Sequence, residues 1–339
     1  MQTISPTTPR SRRRAARVLL STLIGAASLL ATGVTNAQGA WPTRPVKLIV
    51  HAPAGGGADA YARAVGDGLS KLWGQPVVID NKAGANGLIA TKALMTSAPD
   101  GYTLMQTATG PVAMNPIMHG KMYDPAVAFT AIAPVTSTYM IVVAGVDQPF
   151  SDLSSLATYA KAHPKEVTYA TAGIGAVPHI GTEFINVALG AGMTHVPFRG
   201  ESQFIPELLA GRVSMAMMIA GSALPYIQSG KFKAIAVTSS ERNPALPNVK
   251  TMEEQGFKVS LPLWFGLIGP AGMPADLARK INDDVNKVLQ TPAIQKRFAD
   301  LLVDVPKASS TEDFRKYMVG DAHKWATLVK QANVSLKAE

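Results

Sequence analysis

No cysteine occurs in the 339 residues. Disulfides, cysteine nucleophiles and thiolate metal sites are therefore excluded. There is no Gly-x-Ser-x-Gly elbow, so the usual α/β-hydrolase nucleophile is missing. The histidines (His51, His119, His163, His179, His195 and His323) never fall in a His-x-x-His or His-x-x-x-His spacing, which leaves no metal-site pattern. No run of Lys and Arg follows the first 37 residues, which argues against nucleic acid as a partner. No apolar stretch reaches the roughly 20 residues of a membrane span.

What is present begins with an export signal. Arg10, Arg12, Arg13, Arg14 and Arg17 form a positive region without an acid. An apolar run from Val18 to about Ala31 follows, and small residues lead to Ala37. This is the layout of a secretory signal peptide, residues 1–37, cut after Ala37. Ser11–Arg12–Arg13 hints at the twin-arginine route, but Ala15 and Ala16 stand where that signal needs larger apolar residues, so the general route is expected. Cleavage leaves 302 of the 339 residues and lowers the formal charge from +9 to +4. That length suits two lobes better than one core.

The mature chain alternates strands and helices. Lys47–Val50 reads as a buried strand and Ala58–Trp73 as a helix, with Ala62, Val65, Leu69 and Leu72 on one face. Between them stands Pro53–Ala54–Gly55–Gly56–Gly57, followed by Asp59. Glycines there bring bare N–H groups close to a ligand, and the helix start adds unpaired donors and a positive dipole end. The turn is a ready anion cradle. Its rival is a dinucleotide fingerprint: Gly55, Gly57 and Ala60 match G-x-G-x-x-A, with Asp80 about 20 residues on. Pro53 and Ala54 lengthen the turn beyond that tight form, and an exported protein meets little nicotinamide cofactor. No cofactor is expected. Asp59 suits a helix's first turn through the dipole better than it suits an acid catalyst.

A second strand–loop–helix unit repeats the arrangement. Thr171, Ala172, Gly173, Gly175, Val177 and His179 offer two glycines, a hydroxyl and a helix start. His179 either faces a cleft or caps its helix. Gln106–Thr107–Ala108–Thr109–Gly110 ends another strand, and the carboxyl ends of strands in an open α/β sheet form the binding crevice. Thr107, Thr109 and Gly110 join the candidates on that ground. Met215–Ile219 reads as a buried strand from which Met218 could reach the cleft as an adaptable apolar wall. The pairs Glu253–Glu254 and Asp283–Asp284 read as solvated helix faces. Extended crossings near 134–143, broken at Pro134, and 260–268 divide the chain into a discontinuous domain (38–138 with 262–339) and an inserted one (139–261). The C-terminus is helical, and Ser310 with Asp313 forms a capping box.

These residues occur in a recognisable order. Trp41–Pro42, Arg44–Pro45–Val46, the glycine turn, Gly74–Gln75–Pro76 and Pro99–Asp100–Gly101–Tyr102 come first. Asn115–Pro116, His195–Val196–Pro197–Phe198, Ser222–Ala223–Leu224–Pro225 and Trp264–Phe265–Gly266 follow. From Trp41 onward the chain resembles the Bug family, the TctC-like binding component of tripartite tricarboxylate transporters. The resemblance implies a periplasmic, two-lobe α/β binding protein of type II, each lobe a mainly parallel sheet flanked by helices. It implies a non-enzymatic monomer that takes a small carboxylate on the two loops and delivers it to permease subunits. A sensor input is the alternative role, and a secreted α/β enzyme is a more remote one. Many relatives carry Asp-Asn where this chain has Met218–Ile219, and Lys-Gly-Gly where it has Arg199–Gly200–Glu201. The missing acid favours an apolar or aromatic ligand body, and Arg199 could pair with a second carboxylate.

Overall fold

The computed structural model describes residues 2–3, 41–119, 122–198, 200–257, 261–301 and 303–332. The arginine-rich and apolar parts of the expected signal peptide, its expected cut after Ala37, and Arg199 lie outside the described residues. No described helix is long and apolar enough to cross a membrane.

The first lobe opens with β1 (Val46–Val50), α1 (Gly57–Trp73), β2 (Val77–Asn81), α2 (Leu88–Met95) and β3 (Thr103–Ala108). A π-helical turn, Gly110–Met114, runs into α3 (Asn115–Met118), and α4 (Pro125–Ala128) precedes β4 (Phe129–Thr138). The second lobe contains β5 (Met140–Gly145), α5 (Leu153–Ala162), β6 (Thr168–Thr171), α6 (Val177–Leu189) and β7 (Thr194–Pro197). It continues with α7 (Glu201–Leu209), β8 (Met215–Ile219), α8 (Ala220–Gln228) and β9 (Phe232–Val237). The chain then returns through β10 (Leu263–Pro270) to α9 (Ala275–Leu289), α10 (Pro292–Asp300) and α11 (Thr311–Ala332).

Two five-stranded sheets result, ordered β2-β1-β3-β10-β4 and β7-β6-β8-β5-β9. In each, one strand runs against the other four: β10 in the first, β5 in the second. Both are mixed, as the crossings require. β4 leaves the first sheet parallel to β3, so β5 enters the second from the cleft side and must run away from it. β9 and β10 repeat this on the return. Both reversed strands are buried along their whole length and carry no charged residue, as strands covered on both faces do. The first crossing breaks at Tyr139, between β4 and β5, and not at Pro134. Pro134 instead lies at a register shift opposite Gly266, where a residue without an N–H breaks the ladder.

Each sheet has its own core. Ile49, Leu94, Met105, Trp264, Phe314 and Met318 pack together in the first, so α11 returns to it. Ile141, Val143, Phe204, Leu208, Met218 and Leu224 do so in the second. Full burial of such a side chain contributes about 1.5–3 kcal/mol. The expected capping box starts α11: Asp313 N–H donates to Ser310 Oγ at 3.1 Å and Ser310 N–H to Asp313 Oδ2 at 3.4 Å. Two expectations need correction. Leu72 is exposed, and the buried side of α1 runs through Ala58, Tyr61, Ala62, Val65 and Leu69. Asp284 is not solvated but buried, accepting from Trp73 Nε1 at 2.8 Å and Lys280 Nζ at 2.7 Å. It ties α9 to α1.

Candidate functional site

The first loop leaves β1 with Pro53–Gly57 all exposed. Gly55 holds φ +83°, in the left-handed region open to glycine. Its N–H donates to Asp59 Oδ2 at 2.9 Å. The same carboxylate accepts from Arg63 Nε at 2.8 Å and Asn81 Nδ2 at 3.0 Å, and Asn81 also holds the Ala52 carbonyl. Asp59 is thus the post to which the loop is tied. Burial opposes its ionisation, but the hydrogen bonds from Arg63, Gly55 and Asn81 prevail and bring its pKa down to about 2. Gly56 caps α1 in an extended conformation without a side-chain bond, and the first helical bond runs from Ala60 N–H to the Gly56 carbonyl. The N–H groups of Gly57 and Ala58 precede that bond and have no partner within the helix.

The second loop uses the same device. Gly175 holds φ +75°, and its N–H donates to His179 Nδ1 at 3.0 Å. His179, like Asp59, is the third residue of its helix. Ala176 caps α6 without a side-chain bond. The Val177 N–H is the counterpart of Gly57, and Pro178 supplies none. Thr171 is buried, and its Oγ1 accepts from Gly173 N–H at 3.3 Å and lies 2.7 Å from His195 Nε2. His195 stacks between Tyr169 and His179, at centroid distances of 4.9 and 4.1 Å. Burial holds His179 down to about 4, so its ring is neutral at neutral pH and Nδ1 is free to accept. Burial, reinforced by His179, does the same for His195.

The structure brings these two loops to the same ends of their sheets and joins them through first-lobe residues. Asn86 Nδ2 donates to the Gly175 carbonyl at 3.4 Å, and Asn115 Nδ2 holds the Asn86 carbonyl at 3.1 Å. Met118 lies against Gly175 so closely that a Cβ there would stand 1.8 Å from its Sδ. Sequence reasoning missed the contacts of Asn86 and Met118 with Gly175. Only Asn86 carried a local sign, an Asn inside the glycine-rich turn 84–87. Thr107, Thr109 and Gly110 are buried behind the first loop; Thr109 Oγ1 donates to Asp321 Oδ2 at 3.3 Å. The Thr107 hydroxyl and both amide atoms of Gln106 are buried with no hydrogen-bond partner among the described residues. Met218 does not form a cleft wall: it is fully buried beneath α7 and α8 with Phe204 and Leu224. Beside the first loop lies an aromatic cluster in which Tyr61 and Phe265 are buried. Tyr61 meets Phe265 edge-on at 5.1 Å, and His51 stacks on Phe265 at 6.2 Å. Asp80, the acid of the dinucleotide reading, is paired with Lys82 at 3.3 Å. No cluster of three metal-ligating side chains occurs among the described residues.

Two helix starts, each with its preceding glycine braced by the helix's own third residue, thus stand at corresponding loops of the two lobes. The model of the TctC family, described as the tripartite tricarboxylate transporter family receptor, matches residues 61–334. The chain belongs to this family. Protein BugT of Bordetella pertussis is 31% identical over 301 residues, covering 88% of this receptor and 92% of the relative. Among solved structures, Rpa4515 of R. palustris with adipate has a TM-score of 0.79 at 28% identity, over 86% of this chain and 98% of that one. MatC of Rhodopseudomonas palustris with bound malate has a TM-score of 0.77 at 30% identity, over 85% and 100%. The periplasmic binding protein BugD has a TM-score of 0.77 at 31% identity, over 87% and 99%. The receptor therefore shares its two-lobe α/β fold with periplasmic binding proteins.

Proposed function

We propose that the receptor binds a small organic carboxylate between its lobes in the periplasm and delivers it to the permease subunits of a tripartite tricarboxylate-type transporter. The observation that carries this is the repeated loop: N–H donors at the starts of α1 and α6, with Gly55 and Gly175 tied back to Asp59 and His179. Bound adipate and malate in two neighbours of 28% and 30% identity support a carboxylate. The ligand is held without chemistry, by a monomer freed of its signal peptide near Ala37. The closing bodies are 38–138 with 262–339, and 139–261. Pro53–Gly57 and Thr171–Val177 grip the carboxylate through backbone donors and bridging waters, which fix only that end of the ligand. The body is apolar or aromatic. Support for this comes from His51, Phe265 and Tyr61 beside the first loop, since Met218 belongs to the core. Asp59 and His179 act by holding the loops.

The test is a thermal-shift screen of the purified protein at neutral pH against dicarboxylates, aromatic acids, amino acids and nicotinamides. A carboxylate at 100 times its Kd stabilises the folded state by about 2.7 kcal/mol, which raises Tm by several degrees. A shift with NAD and none with any carboxylate overturns the proposal.

A further inference from the structure

Glu201 is the first residue of α7 and reaches the point where β8 turns into α8. Its Oε1 accepts the Ile219 N–H at 2.9 Å, and the Ser222 hydroxyl bonds to the same carboxyl. This point is the second-sheet counterpart of Thr107–Thr109 at the end of β3. Among the described residues no basic side chain pairs with Glu201. Its charge also reaches the first lobe: Tyr61 is pushed up to about 12 by burial and then by Glu201. Tyr61 is only 3% exposed, and its hydroxyl makes no hydrogen bond among the described residues. That hydroxyl stands 3.0 Å from where a Cβ on Gly57 would be. An unpartnered phenol thus stands at the first anion loop, and a carboxylate lies at the end of β8, beside the strand β6 that leads into the second.

We propose that Glu201 selects ligands bearing a hydrogen-bond donor, a hydroxyl or an ammonium, on the carbon next to the anchored carboxylate, and rejects a second carboxylate there. Tyr61 donates to the anchored carboxylate itself. This rests on the carboxylate reading above. A carboxylate accepts at about four positions; Ile219 and Ser222 take two, and a ligand donor takes another. Burial pushes the Glu201 carboxyl up; its ionised form, favoured at mildly alkaline pH, meets a second anion with like charge, which opposes binding.

The experiment is calorimetric titration at mildly alkaline pH with two matched series. One is phenylacetate, mandelate, phenylglycine and phenylmalonate. The other is hexanoate, 2-hydroxyhexanoate, norleucine and butylmalonate. In at least one series the wild type should bind the hydroxy or amino acid about ten-fold tighter than the parent, the malonate being weakest. Glu201→Gln should bring the members within about three-fold of one another, and Glu201→Ser is the substitute if that variant does not fold. Tyr61→Phe should weaken all members alike. A ranking unchanged in the Glu201 variant, no ranking in the wild type, or a wild-type preference for the malonates overturns this inference and leaves the carboxylate reading standing. If no carboxylate binds, here or in the wider screen, both fall.

Discussion

Gly56→Val abolishes carboxylate binding, a loss of at least about 100-fold, while the unliganded protein keeps its melting temperature within a few degrees. Gly56 has φ −85° and ψ 173°, a conformation that valine adopts readily. A Cβ there meets nothing nearer than the Pro53 carbonyl oxygen at 3.7 Å. The fold therefore accepts the side chain. The site does not, because an isopropyl group at the cap of α1 stands before the Gly57 and Ala58 N–H groups and keeps a carboxylate from hydrogen-bond distance. Gly55 is the wrong position for this test, since its φ of +83° would strain any other residue and mix folding with binding. Titration calorimetry with the strongest acid of the screen, beside a melting curve, checks the prediction; retained affinity removes the first loop from the site.

Gly175→Val acts on closure as well as on the loop. At φ +75° a residue with a Cβ loses about 1–2 kcal/mol. The added Cβ also lies 1.8 Å from Met118 Sδ and 2.2 Å from its Cε, so Met118 must move away. The Asn86 bond to the Gly175 carbonyl goes with it. Ligand binding draws on the closed state, so a block on closure lowers the apparent affinity by the fraction of closed molecules lost. The expected result is a lower Tm and at least about a ten-fold weaker affinity. Adding Met118→Ala should restore part of the affinity, because it removes the clash and leaves the backbone strain. Small-angle scattering checks closure directly: the wild type compacts with ligand and Gly175→Val compacts less.

Local features of this receptor were legible in its sequence. Strand–helix alternation, the glycine turns at Gly55–Gly57 and Gly173–Gly175, and the capping box at Ser310 all follow rules spanning a few residues. Features that depend on distant partners were not. The reversal of β5 and β10 comes from the crossings between lobes and leaves no local trace. The core position of Met218 has no local sign, because Met215–Ile219 is apolar on both faces and no alternation tells core from cleft. Asp284 resembled a solvated acid because the Trp73 that covers it lies 211 residues away in the chain. Asp59 and His179 were recognised as candidates, yet their part in tying back Gly55 and Gly175 depends on left-handed turns that only the folded backbone shows.

Backbone N–H groups gripping a carboxylate are best tested by amide chemical shifts in uniformly 15N-labelled protein. With a saturating carboxylate from the screen, the Gly57, Ala58 and Val177 amides should shift downfield together. Gly55 and Gly175, already bonded to Asp59 and His179, should shift least. Carboxylate binding seen by melting temperature with no shift at either helix start would contradict the account.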